Sequence, residues 1–77
     1  MDWGKIVGEN VRRLRLERRL TQEQLAHDAG IDLTYLGGIE RGRRNPSVEV
    51  LGRIAKVLAV PPGSLLDLPR SDASAPS

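Results

Sequence analysis

At 77 residues the chain is long enough for about one small domain, and because it contains no cysteine, disulfide bonds, thiol catalysis and cysteine metal sites are excluded. Apolar residues make up 39% of the sequence, but with one Trp, one Tyr and no Phe the core is expected to be aliphatic and built between helices. No apolar run reaches the ~18 residues of a membrane span and no signal peptide is recognisable, so we expect a cytoplasmic protein without a membrane partner.

The positive charge is concentrated in two parts of the chain. The formal net charge is only +2, yet eight of the ten arginines fall in two segments. The first holds Arg12, Arg13, Arg15, Arg18 and Arg19, and the second holds Arg41, Arg43 and Arg44. Such clusters are found on surfaces that bind nucleic acid, but charge alone is equally compatible with two solvated faces.

Helical spacing of apolar residues predicts a first amphipathic helix over residues 3–19. Its inward face carries Ile6, Val7, Val11 and Leu14. Thr21 followed by Gln24 matches a capping box, in which the Thr hydroxyl accepts a backbone N–H of the next helix. A second helix therefore begins at Gln22, and it ends at Gly30 because glycine readily adopts the positive φ found just after a helix.

A third predicted helix follows closely. Asp32 can serve as its N-cap, and the helix runs over residues 33–41 until Gly42 ends it. Two short helices joined by a turn that contains glycine are the helix-turn-helix arrangement, which places its second helix in the major groove of DNA. The predicted motif covers residues 22–41.

Two further helices complete a predicted all-α fold of five helices. Ser47 is the expected N-cap of the fourth helix, and Pro62 suits the first position of a short fifth helix. Residues 69–77 have no apolar pattern, so a disordered tail is expected after a single domain over residues 1–68.

The order of these motifs resembles a known family. Similarity to the Cro and phage-repressor type (XRE family) of helix-turn-helix domain is carried by the segment LRLERRLTQEQLAHDAGIDLTYLGGIERGRRNPSVEVLGRIAKVLAV and extends over about residues 6–66. The segment TYLGGIERGRRN is most similar to the controller proteins of restriction-modification systems, which are small dimers that bind operators near their own genes. The resemblance implies a five-helix, repressor-like DNA-binding domain that regulates transcription as a homodimer on a short palindromic operator.

The resemblance also implies DNA-binding positions on the motif. In the family, the glutamine at the position of Gln22 bonds a phosphate and braces the third, or recognition, helix. Leu33, Thr34 and Gly38 fall where related repressors carry base-reading side chains. Only Thr34 offers a polar group, so few direct base contacts are expected. Tyr35, as in controller proteins, can donate to a phosphate or widen a groove at a deformable step, or else it only covers the edge of the core.

Four residues after the recognition helix are expected to follow the sugar-phosphate backbone: Arg41, Arg43, Arg44 and Asn45. Of these, Arg44 is the best candidate to reach the O6 and N7 atoms of a guanine. The consecutive glycines Gly37 and Gly38 each cost about 1 kcal/mol in a helix interior. Either close approach of the DNA backbone or tight helix packing is expected to offset that cost.

Two further sets of residues are assigned to structure and assembly. The family places an ion pair at the positions of Arg15 and Glu40, where it joins the first helix to the third. A partner surface is expected to hold two copies together so that their recognition helices lie about 34 Å apart and read a palindrome. Its predicted residues are Leu58, Leu65, Leu66 and Leu68.

Enzyme chemistry, metal binding and a cofactor are not expected. The single histidine, His27, has no second metal ligand at a suitable spacing, and Glu23 and Asp28 have neither a nucleophile nor oxyanion donors around them. The alternative to DNA binding is a protein partner such as a toxin. The apolar, glycine-rich face of the third predicted helix keeps that alternative open.

Overall fold

The computed structural model of this chain describes residues 1–68, and within that range it is all-α, without strands. Its four α-helices are α1 (Trp3–Glu17), α2 (Gln22–Ala29), α3 (Leu33–Glu40) and α4 (Val48–Leu58). The predicted fifth α-helix is instead a five-residue 3-10 helix, Pro62–Leu66. The segment has only five residues, and so short a segment does not offset the cost of nucleating an α-helix. The tail expected over residues 69–77 lies outside the described residues.

Caps set most helix ends where the sequence predicts them. Thr21 Oγ1 accepts from the Gln24 amide at 3.0 Å, and Gln24 Oε1 accepts from the Thr21 amide at 2.8 Å, which completes the capping box. Gly30 has the left-handed φ of +70° after α2, and Ser47 accepts a backbone N–H of α4 at 3.1 Å. Asp32 differs from the prediction, because its side chain makes no capping hydrogen bond to α3.

An aliphatic core joins all the helices. Its fully buried large side chains are Val11, Leu25, Leu36, Ile39, Ile54, Leu58 and Leu65. Burying a side chain of this size contributes about 1.5–3 kcal/mol relative to leaving it exposed. The structure corrects the prediction that placed Leu58 and Leu65 at a dimer interface. Both are 0% exposed inside a single copy, so neither has surface left for a partner.

Glycine at position 8 lets α1 and α3 pack closely. A Cβ atom built on Gly8 overlaps the carbonyl oxygen of Ile39 and lies 2.9 Å from the carbonyl oxygen of Glu40. Both neighbours are backbone atoms, which cannot move aside as a flexible side chain can. The C-terminal half of α3 therefore rests directly on α1, and only a residue without a side chain permits that distance.

Candidate nucleic-acid interface

Helices α2 and α3 form the helix-turn-helix unit. Ile31, in the short turn between them, packs against the core. On α3, Leu36 and Ile39 are fully buried, whereas Leu33 and Thr34 are exposed. The recognition helix is thus attached to the domain by one face and presents the residues of its first turn to solvent.

A buried ion pair attaches the C-terminal end of α3 to α1. Arg15 Nε donates to Glu40 Oε2 at 2.7 Å and Arg15 Nη2 donates to Glu40 Oε1 at 3.0 Å, which is the bidentate geometry. The two side chains are 9% and 2% exposed. A third bond runs from Arg15 Nη1 to the carbonyl oxygen of Leu20 at 2.9 Å. The structure therefore brings together the two residues that the resemblance pairs, and both charges are satisfied in the interior.

Gln22 joins the same network from the start of α2. Its Nε2 donates to Glu40 Oε1 at 2.9 Å, so the N-terminus of α2 is tied to the C-terminus of α3. An amide nitrogen carries two hydrogens, and this bond leaves the second for an outside acceptor. Bracing of the recognition helix by Gln22 is thus a feature of the structure, while its phosphate contact stays a prediction.

The two arginine clusters differ in how far their charge is compensated. In the first cluster, Arg13 pairs with Glu17 and Arg15 with Glu40, while the other three arginines form no ion pair within residues 1–68. The predicted backbone-contacting residues of the second cluster are all exposed and, within residues 1–68, form no ion pair: Arg41, Arg43, Arg44 and Asn45. An uncompensated positive surface therefore lies directly after α3, where it adds to the attraction of a polyanion.

The turn after α3 directs this positive segment back over the helix. Gly42 has φ +76°, its amide donates to the carbonyl oxygen of Ile39 at 3.0 Å, and the Arg43 amide donates to that of Gly38 at 2.9 Å. These two bonds with a left-handed glycine form a Schellman motif. The residue that follows, Arg44, is thereby placed beside α3.

Arg44 lies across the recognition helix. Its guanidinium carbon is 5.0 Å from the centroid of the Tyr35 ring, within range of a cation–π contact. A Cβ built on Gly38 would lie 2.6 Å from Arg44 Cγ, and one on Gly37 would lie 3.2 Å from Arg41 Nη1. Arginine side chains of the same chain therefore cover both glycines. Gly38, predicted to contact DNA, is buried in this arrangement, and local sequence patterns could not have predicted that burial.

Residues considered for other chemistry show no such arrangement within residues 1–68. No group of three or more His, Cys, Asp or Glu residues there is placed to hold a metal ion. The His27 side chain is 89% exposed, and its one polar interaction within residues 1–68 is with Asp28 Oδ1, 3.3 Å from its Nδ1. None of the helices in this part of the chain combines the length and apolar character needed to cross a membrane.

Known proteins share this architecture. The family HTH_3, described as Helix-turn-helix, matches residues 11–65, from α1 to the 3-10 helix. An uncharacterised HTH-type transcriptional regulator of Sinorhizobium fredii, y4dJ, is 48% identical over 60 residues, 78% of either chain. The control protein C.BamHI of Bacillus amyloliquefaciens is 41% identical over 63 residues, 80% of this chain and 78% of that protein. The crystal structure of the restriction-modification controller protein C.AhdI from Aeromonas hydrophila superimposes with a TM-score of 0.78 at 39% identity, over 80% of this chain and 94% of that one.

Proposed function

The chain belongs to the HTH_3 helix-turn-helix family, as a transcriptional regulator of the XRE and controller type, and we propose that it binds a short palindromic operator as a homodimer with α3 in the major groove. One observation carries the proposal: the exposed first turn of α3 lies next to a run of arginines that no carboxylate within residues 1–68 neutralises. The relatives of this chain are regulators rather than enzymes.

The proposed backbone contacts come from both ends of the motif. Gln22 uses its second amide hydrogen on a phosphate next to the N-terminus of α2, where the helix dipole also favours an anion. Arg41, Arg43 and Asn45 bind phosphates on the other side of α3. Tyr35 donates its hydroxyl to a phosphate or favours a deformable base step. These contacts orient the protein on the duplex without selecting a sequence.

The proposed base contacts are few. Thr34 offers a hydroxyl to a base edge or a methyl group to a thymine methyl, and Leu33 offers apolar contact only. Arg44 binds guanine O6 and N7, the pairing that discriminates most between bases. One copy therefore recognises little sequence, and a second copy on the other half-site is needed for discrimination.

The proposed dimer surface uses the exposed leucines that follow the core. Leu66 is 44% exposed and Leu68 is 50% exposed. Asn10 Nδ2 donates to the carbonyl oxygens of Leu65 at 2.9 Å and Asp67 at 2.8 Å, which holds this segment against α1. A pre-ordered apolar surface loses little entropy on pairing with the same surface of a second copy.

Selection of bound duplexes from a random DNA library, followed by titration of the selected duplex across salt concentrations, tests the proposed function. We expect a palindrome with half-sites about 10 base pairs apart. Arg43→Gln should weaken binding to all sequences alike and reduce the log–log salt slope by about 0.9. Arg53→Gln removes an exposed arginine that pairs with Glu49 on α4, so it serves as the control with an unchanged slope. Absence of any enriched sequence, with weak binding at low salt, would contradict the proposal and favour a protein partner.

The dimer is tested by sedimentation of the double variant Leu66→Ser and Leu68→Ser. Loss of two exposed leucines from each copy of a symmetric interface should raise the dimer dissociation constant by more than about 100-fold. Val48→Ser removes a side chain that is 85% exposed at the start of α4 and is expected to leave the constant unchanged. If the double variant dimerises as tightly as the unmodified chain, the interface lies elsewhere.

A further inference from the structure

The most unusual contact on the recognition face is the one that Arg44 makes with its own helix. The exposed side chain of an arginine ordinarily samples many rotamers, and ordering it on binding has an entropic cost. Here the stem of Arg44 lies over Gly38 and its guanidinium lies over Tyr35. The amide of the preceding residue, Arg43, is bonded to the carbonyl oxygen of Gly38 at 2.9 Å, so backbone and side chain are held at the same place.

We propose that Gly38 and Tyr35 are positioning residues that order Arg44 for base recognition, and that Gly38 makes no DNA contact of its own. This inference rests on the proposed function, because it takes Arg44 to be the residue that binds a guanine. It replaces the direct role for Gly38 that the resemblance implies with an indirect one, exerted through the arginine that covers it.

The helix geometry makes this arrangement specific to these two positions. Tyr35 and Gly38 are three residues apart and therefore lie on the same face of α3, one turn from each other. The Tyr35 ring also packs against the core, so it is a fixed platform. A cation–π contact uses no hydrogen-bond acceptor, and thus the N–H donors of Arg44 remain for the O6 and N7 atoms of a base.

A side chain at position 38 would remove the space that Arg44 occupies. The nearest atom to a Cβ there is Arg44 Cγ at 2.6 Å, which belongs to the start of the side chain and cannot avoid the methyl group by moving its tip. Alanine also favours a helix interior over glycine. The gain of about 1 kcal/mol in helix propensity offsets the cost of displacing Arg44 from Gly38 and Tyr35. Gly38→Ala should therefore keep the domain folded, with a stability within about 1 kcal/mol of the unmodified chain, while it displaces Arg44.

The first arm of the test needs no DNA. In NMR spectra of the full chain, the Arg44 side-chain protons are expected to show upfield ring-current shifts that disappear in Tyr35→Leu and in Gly38→Ala. Gly37→Ala is the matched control, because a Cβ there meets only the far end of the Arg41 side chain, at 3.2 Å from Nη1. Ordinary, unshifted Arg44 protons in the unmodified chain, or retained shifts in Gly38→Ala, would overturn the positioning role.

The second arm is a double-mutant cycle on the selected operator and on the same duplex with the candidate guanine pair replaced. Arg44→Ala and Gly38→Ala should each reduce the affinity ratio between the two duplexes by about 10-fold or more, the size of one bidentate base contact. In the Arg44→Ala background, Gly38→Ala should have no further effect on that ratio. Thermal unfolding should show that Gly38→Ala is still fully folded at the temperature of the binding measurement.

The outcomes of the second arm separate the competing explanations. If Gly38→Ala keeps the full affinity ratio, the glycine has no role in recognition. If it weakens binding equally with and without Arg44, the glycine contacts DNA itself. Either result overturns the inference. If the unmodified chain selects no operator at all, the proposed function fails, and base recognition by Arg44 fails with it. The NMR arm separates that case from a failure of the positioning role, because it reports the position of Arg44 in the free protein.

Discussion

Glu40→Ala should lower the free energy of unfolding by about 3–5 kcal/mol, the usual effect of removing one partner from a buried ion pair. The substitution leaves the guanidinium of Arg15, 9% exposed, without its carboxylate in the interior. It also removes the acceptor of Gln22. A domain of this size has a total stability of roughly 5 kcal/mol, so roughly 0–2 kcal/mol would remain. Urea or thermal unfolding followed by circular dichroism should therefore show a strongly lowered midpoint, with up to about half of the chain unfolded before any denaturant is added.

A matched control separates burial from charge. Glu49→Ala makes the same change in net charge, but Glu49 is 76% exposed and pairs with Arg53 on the surface at 2.9 Å. An exposed pair of this i,i+4 type contributes about 0.3–0.5 kcal/mol, and a carboxylate in the first turn of a helix contributes about 0.3–1 kcal/mol, so the loss should stay below about 1.5 kcal/mol. Similar losses in the two variants would show that Arg15 and Glu40 are not held in a low-dielectric interior.

The same ion pair predicts that a double replacement is milder than a single one. Substituting Arg15→Met together with Glu40→Leu removes both charges and leaves neither unpaired, so it should destabilise less than Glu40→Ala. DNA affinity in Glu40→Ala, measured at a temperature where part of the chain is folded, should fall in proportion to the folded fraction. A larger fall would mean that Glu40 also supports DNA binding, either itself or by holding Gln22, whose acceptor it is.

Gly8→Ala should destabilise the domain by about 3 kcal/mol, the upper end of the ordinary cost of overpacking. Alanine favours a helix interior by about 1 kcal/mol over glycine. That gain is outweighed because the added methyl group overlaps the backbone carbonyl of Ile39 and approaches that of Glu40 to 2.9 Å. Relief requires α1 and α3 to separate, which also displaces the recognition helix. Urea unfolding of the variant measures the effect.

The chain contains its own control for this substitution. Gly52 lies inside α4, and a Cβ built there has no heavy atom within 4 Å apart from its chain neighbours and the backbone of its own helix. Gly52→Ala should therefore gain the helix-propensity term alone and stabilise the domain by about 1 kcal/mol. Opposite signs for one chemical change in two helices are the expected result. If Gly8→Ala is as stable as Gly52→Ala, the two helices are not packed as closely as described.

Patterns among residues close together in sequence were sufficient to predict most of the helix boundaries. The capping box of Thr21 and Gln24, the left-handed Gly30 and the cap at Ser47 all occur where the sequence predicts them. Each depends on residues within about one helical turn, whose effect on the backbone is nearly independent of the rest of the fold. The five-helix prediction is not confirmed at the last element, because a segment of five residues is too short to offset the cost of nucleating an α-helix.

Contacts between distant residues were predicted only where a family pattern supplied them. The Arg15 and Glu40 pair is 25 residues apart in sequence, and it is the resemblance, not the spacing, that joins them. Without such a pattern, the leucines at 58 and 65 could not be distinguished from exposed ones, because periodicity identifies an apolar face but not what covers it.

The sequence by itself determined the four α-helices, the caps at Thr21, Gly30 and Ser47 and the helix-turn-helix motif, since these follow from neighbours along the chain. Only the tertiary structure decided that Gly8 allows α3 to pack closely on α1 and that Asn10 bonds the backbone of Leu65. It also decided that Arg44 lies over Gly38 and Tyr35. The physical reason is that such contacts depend on the distance between whole helices and on the path of the turn after α3. Those distances result from the packing of the entire core, and no local segment of sequence contains them.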